Sequence, residues 1–242
     1  MNNIDYDAIF SGSIGQDYHL LKLIAPLATA MSKLVGEAVA RYPSTAKTLN
    51  IVELGGGTGI TTLSILSARP DVQILSIDNE PVMQNQAKQH LSSWCAEDKL
   101  TFLCIDALSA LQAMPSASVD IVASAYTLHN FLAEYRVSVL QEIWRVLKPG
   151  GQFINGDRYA LDDISVHTRL IQEEVGGYFR VLVELQRLDV LQQWIVHLFS
   201  DESANHIMRE TEALGQLRAV GFKDIQLQHR MDVNAVVQAT KP

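Results

Sequence analysis

The stretch NIVELGGGTGITTLSI, Asn50–Ile65, decides how this chain is read. It opens as a β-branched apolar run and turns on Gly55, Gly56, Gly57 and Gly59 into helical spacing from Thr58 to Ala68. A strand that turns on glycine into a helix lets a ligand approach the backbone with no Cβ in the way. A dinucleotide fingerprint places small residues as G-x-G-x-x-G/A. Here Ile60 stands where the third small residue belongs. The pattern is instead Glu53-x-Gly55-x-Gly57-x-Gly59. A carboxylate at the strand end opposes a pyrophosphate and suits a ligand carrying an ammonium or sulfonium group.

Working outward, strand-like and helix-like stretches alternate. "VQILSID" reads as a second strand, followed by the helix "PVMQNQAKQHLSSW" with Pro81 in its first turn. "LTFLCID" and "SVDIVASAY" read as the third and fourth strands, "AEYRVSVLQEIWRVL" as a helix ended by "KPGG", and "QFINGDRYA" as the fifth strand. Such alternation implies parallel pairing with helices on both faces. "GFKDIQLQHR" and "VNAVVQATK" add an antiparallel hairpin at the sheet's edge. The expected fold is therefore an α/β, doubly wound, mostly parallel seven-stranded sheet, with ligands at the carboxyl ends of the strands. Residues 1–48 are expected to form a helical N-terminal segment, 49–159 the core, 160–213 a helical insertion and 214–242 the returning edge strands.

Composition narrows the function. Of 242 residues, 48% are hydrophobic, enough for a large core rather than a disordered chain. A net charge of −8 repels phosphate backbones, so no nucleic-acid partner is expected. The start "MNNIDYDAIF" lacks a basic region and a long apolar run, and no apolar stretch reaches membrane-spanning length. A cytoplasmic protein with a small-molecule partner is expected, and a homodimer is left open. Cys95 and Cys104 do not make a disulfide framework. The seven histidines are scattered without an H-x3-H pair, so no metal is expected.

Two further acids share the position of Glu53 at strand ends. Asp78, ending the second strand, can accept both hydroxyls of a ribose through its two oxygens. Asp106, before Ala107, can accept from the exocyclic amine of an adenine. Amine, ribose and adenine together describe S-adenosylmethionine better than NAD. With "VELGGGTG", "SIDNEPVM", "CIDAL", "SVDIVASAYTLH", "RVLKPGGQFI" and the late "VGF" in this order, the chain resembles the class I S-adenosylmethionine-dependent methyltransferases over about Asn50 to Asp157. That resemblance implies a Rossmann-like methyltransferase fold and transfer of a methyl group to a small-molecule acceptor, leaving S-adenosylhomocysteine. It implies cofactor contacts from Glu53, Gly55, Gly57, Asp78, Asn79, Asp106, Ala107 and Ser124. An N-terminal tyrosine, Tyr18, would touch the methionine end as residues 1–48 close over the cofactor.

The end of the fourth strand, "SAYTLHNF", offers Tyr126 and His129 as catalytic candidates, His129 as a general base for an acceptor that must lose a proton. Arg158 is expected to pair with Asp157. The insertion, with Tyr178, Arg180, Arg187, Trp194 and His197, is expected to act as a substrate-selecting lid. A second reading is a carboxy-S-adenosylmethionine synthase, which needs an arginine, Arg158 or Arg187, for the new carboxylate. A third is a non-catalytic cofactor-binding protein, and a fourth, an NAD-dependent dehydrogenase, is opposed by Ile60.

Overall fold

The structure is a computed structural model, and it describes residues 26–44 and 46–242. Tyr18, and with it most of the expected closing segment, lies outside the described residues. β1 (Leu49–Leu54), β2 (Val72–Asp78), β3 (Leu100–Cys104), β4 (Val119–Ala125) and β5 (Leu147–Arg158) run parallel in the order β3-β2-β1-β4-β5. β6 (Lys223–Met231) and β7 (Asn234–Thr240) form the expected antiparallel hairpin. Its second strand pairs with β5, so β6 is the edge. This is the seven-stranded sheet expected from the sequence.

Alternation along the central strands divides their side chains between two cores. Val52, Leu54 and Val122 face one side, where α5 (Ala107–Gln112), α6 (Ala133–Val146) and α9 (Glu210–Val220) bury Leu111, Ile143 and Leu217. Ile51, Ile121 and Ala123 face the other, against α1 (Pro26–Ala40), α2 (Ile60–Ala68) and the short α4 (Ser92–Ala96). The expected boundary after residue 213 is corrected: it falls inside α9, whose Ala213 and Leu217 pack on the sheet. The helix belongs to the core because its apolar face has nowhere else to be buried.

The same holds for α1. Met31, Val35 and Val39 are fully buried against α2 and the sheet, and Ser32 Oγ meets Thr61 Oγ1 at 2.9 Å. Met31→Ala should therefore cost about 2–5 kcal/mol, the range for emptying a packed core site. Urea unfolding would read this as a shifted midpoint. A shift under about 0.5 kcal/mol, the size of a surface substitution, would mean that α1 is not part of the core.

α3 (Pro81–His90) follows β2, its first turn capped by Glu80 accepting from the Val82 N–H at 3.1 Å. α7 (Ile164–Glu184) and α8 (Leu188–Asp201) form a helical pair with a small core of their own, Tyr178, Leu182, Leu191 and Leu198. Among the described residues no helix is long and apolar enough to cross a membrane.

Candidate active site

The chain leaves β1 toward β2 but places β4 on β1's other side. Loops at the carboxyl ends of β1 and β4 therefore part, and a crevice opens there. It holds a cavity of about 980 Å³, running from the glycine loop to the inner faces of α7 and α8. That volume suits a cofactor and a small second molecule.

The glycine loop is built for close approach. Gly55 has φ +69°, and a Cβ there would stand 2.0 Å from Thr127 Oγ1. Thr127 is itself fixed, its hydroxyl 3.1 Å from the Leu54 carbonyl. Gly57, φ +52°, turns its N–H onto Asp78 Oδ2 at 2.7 Å, while Glu80 N–H donates to Asp78 Oδ1 at 2.8 Å. Asp78 thus straps two loops together and keeps one further lone pair on each oxygen. Asn79 lines the cavity beside it. Asp106 and Ala107 line it at the next strand end. Asp106 caps α5 by accepting from Ser109 N–H at 2.9 Å and also takes the Tyr135 O–H at 3.1 Å. Those hydrogen bonds, the Ser109 N–H foremost, hold its carboxyl below the usual range.

Three expected contacts are placed differently. Glu53 stands behind the loop rather than on the cavity wall: it is fully buried, with Oε2 accepting from Thr62 Oγ1 at 2.5 Å and Ser76 Oγ at 2.7 Å. Ser124 is also fully buried, donating to Asn155 Oδ1 at 2.6 Å, because β4 runs one residue further and Ala125 reaches the cavity instead. Tyr126 lines the cavity, but its hydroxyl donates to Asn234 Oδ1 at 2.8 Å and burial pushes its phenol up. Its hydroxyl is engaged as a donor there, and its backbone is left-handed, φ 51°.

Burial raises the Glu53 carboxyl to about 7, against hydrogen bonds from Thr62 and Ser76 that act downward. A carboxyl that keeps its proton longer in the folded chain than in the unfolded one stabilises the fold at low pH. That contribution falls as pH rises from about 4.5 to about 7 and is flat above. The loss is about 3 kcal/mol at 1.36 kcal/mol per unit. Glu53→Gln should remove this slope. Urea midpoints at acidic and neutral pH would show it, and an unchanged slope would reject the buried-acid origin.

His129 closes the other half of the cavity. Its Nδ1 lies 2.5 Å from Asp157 Oδ1, and Asp157 also accepts from the N–H groups of Leu128 (2.9 Å) and Arg158 (2.8 Å). Burial opposes charge on Asp157, but His129 and these donors hold its carboxyl below the usual range. The expected Asp157–Arg158 ion pair is corrected. Arg158 instead forms a fork onto Glu174 at 2.9 and 3.1 Å and reaches Glu202 at 3.3 Å. Asp157 is left to orient the imidazole, with Nε2 free of that bond. Tyr178, Trp194, His197 and Asp201 from α7 and α8 complete this wall. Arg180 and Arg187 are not among the lining residues, and Arg187 pairs with Asp189 at 3.0 Å. Tyr178 and Trp194 serve at once as helix-pair core and cavity wall.

Sequence reasoning missed Asp157 as the partner of His129, and Asp201 altogether. The only signal for Asp201 was its place four residues after His197.

A glycine cradle, a strand-end carboxylate with spare lone pairs, and a second carboxylate beside an apolar wall fit the methionine, ribose and adenine parts of S-adenosylmethionine. The model of a family described as a methyltransferase domain matches residues 51–151. Over those residues, somewhat less than half of its length, the chain is similar to that methyltransferase domain. A carboxy-S-adenosyl-L-methionine synthase of Actinobacillus succinogenes is 26% identical over 184 residues, covering 73% of this chain and 70% of that protein. In fold, the chain resembles an O-methyltransferase family protein from Burkholderia thailandensis (TM-score 0.64, 16% identity, 97% of this chain and 61% of that one). It also resembles human N-acetylserotonin methyltransferase in complex with its cofactor (TM-score 0.58, 19% identity, 98% of this chain and 58% of that one). The chain thus spans less than two thirds of those two structures.

Proposed function

We propose that this chain methylates a small-molecule acceptor held between His129 and the α7–α8 pair. The observation that carries the reading is the single cavity: it joins Gly55, Gly57, Asp78 and Asp106 to His129, Tyr178 and Trp194 without a wall between them. S-adenosylmethionine, when bound, supplies a methyl group on a positively charged sulfur, open to in-line displacement. The chain's part is to align and enclose. Gly55 and Gly57 give the methionine end close backbone contact. Asp78, steadied by Gly57 and Glu80, takes the ribose hydroxyls, Asn79 flanks them, and Asp106 and Ala107 meet the adenine. Asp157 holds the His129 ring so that Nε2 faces the acceptor side as a lone pair able to activate it. The α7–α8 pair acts as the lid, with Tyr178 and Trp194 as the acceptor's apolar walls. The acidic chain, net −8, favours a small acceptor over a nucleic acid.

The synthase-like reading is favoured by the name of the Actinobacillus relative. It needs a cationic side chain open to a carboxylate. Arg158 is committed to Glu174 and Glu202, and Arg187 to Asp189. That commitment favours plain methyl transfer. Mass spectrometry of the ligand carried through purification separates the two. S-adenosylmethionine or S-adenosylhomocysteine supports methyl transfer, and a carboxylated cofactor supports the alternative.

A further inference from the structure

His129, His197 and Asp201 bring one ligand-type atom each to within 4.8 Å of one another at the acceptor end of the cavity. His129 Nε2 is 3.9 Å from Asp201 Oδ2, and His197 Nε2 is 3.7 Å from Asp201 Oδ1. His197 and Asp201 lie one turn apart on α8, so both present to the same side. His129 arrives from the short 3-10 turn Leu128–Asn130 after β4. A zinc ion with bonds of about 2.0–2.1 Å spaces tetrahedral ligand atoms about 3.3 Å apart, within reach of small side-chain rotations from the observed separations.

Two independent features point the same way. Asp157 holds His129 by Nδ1, which is how a carboxylate fixes the tautomer of a metal-binding imidazole and aims its Nε2. The surroundings of the cluster are also rich in carboxylates. Asp157, Glu174, Asp201 and Glu202 gather there with Arg158 and with the His167 imidazole, which lies 2.7 Å from Glu202. Asp157 and Asp201 are buried, where an unmatched negative charge is costly. A divalent cation would add positive charge beside these carboxylates.

We propose that His129, His197 and Asp201 form a binding site for a divalent transition-metal cation. Two imidazoles and one carboxylate suit zinc, and three protein ligands leave a fourth position. That position opens on the cavity, where a lone pair of the acceptor would occupy it; with the ion bound, His129 Nε2 is committed as its ligand, and the ion in place of that lone pair would activate the acceptor. The site stands on its own geometry and rests on the methyl-transfer reading only for the identity of that fourth ligand. No H-x3-H pair marks the site, because its helical pair is His197-x3-Asp201 and its third member is remote in sequence.

The test is calorimetric titration of zinc into the metal-stripped full chain. A single equivalent binding at micromolar strength or tighter is expected, and cobalt(II) in its place should show the visible absorption of a four-coordinate ion. His197→Ala, at a half-exposed side chain, should weaken zinc binding by about 10–100-fold or more with the fold intact by circular dichroism. Asp201→Asn should do the same; if that buried substitution unfolds the chain, His197→Ala decides. Sub-stoichiometric zinc, or unchanged affinity in His197→Ala, overturns the proposal. S-adenosylhomocysteine titrated into the same samples keeps the two readings apart. Failure there with zinc binding intact counts against methyl transfer, not against the metal site.

Discussion

Asp78→Ala raises the dissociation constant for S-adenosylhomocysteine about 100-fold. The argument starts from two hydroxyls of a ribose that lose their acceptor on a cavity wall. Each stranded group costs about 1–3 kcal/mol, and every 1.4 kcal/mol is tenfold in affinity. The loop is loosened as well. Asp78 accepts from Gly57 N–H at 2.7 Å and Glu80 N–H at 2.8 Å, and alanine releases both. Asp78→Asn should fall between wild type and alanine, because one amide oxygen still accepts while its NH2 faces a backbone donor. Calorimetry checks this, with circular dichroism to confirm the fold. An unchanged constant in the alanine variant would remove Asp78 from the cofactor site.

His129→Ala lowers kcat by about 10²–10⁴-fold, the span for removing a positioned acid–base group. Its dissociation constant for S-adenosylhomocysteine should stay within about twofold of wild type, since nothing places His129 at the glycine loop. The split follows from the cavity's two halves: Gly55, Gly57 and Asp78 at one end, His129 with Asp157 and Asp201 at the other. Asp157→Asn should lower kcat as well, through a misdirected ring, and leave cofactor affinity alone. Steady-state kinetics after an acceptor screen give kcat, and calorimetry gives the constant. A variant with full turnover across pH would leave His129 a packing residue.

The sheet was legible because its evidence is local. Each strand is a short apolar run, each helix a spaced one, and Gly55, Pro81 and Gly150 punctuate them. Strand-end carboxylates were also legible, since a position at the carboxyl end of a parallel strand predicts the crevice. Asp78 and Asp106 both line the cavity. What one strand position does, however, depends on its neighbours in space. Glu53 and Ser124 turn inward because Thr62, Ser76 and Asn155 wait there. The Asp157 partner could not be told from adjacency. Arg158 is next in the chain, but Glu174, sixteen residues on along α7, offers it a fork, and His129 takes the carboxylate. Asp201 comes to His129 only because α8 packs against the turn Leu128–Asn130 after β4, a contact that no local pattern encodes.

Calorimetric titration of the full chain with S-adenosylhomocysteine, and separately with NAD, tests the central claim most directly. Saturable binding of S-adenosylhomocysteine at micromolar strength or tighter, with no heat from NAD, is the predicted result. Tight NAD binding with no heat from S-adenosylhomocysteine or S-adenosylmethionine would contradict it.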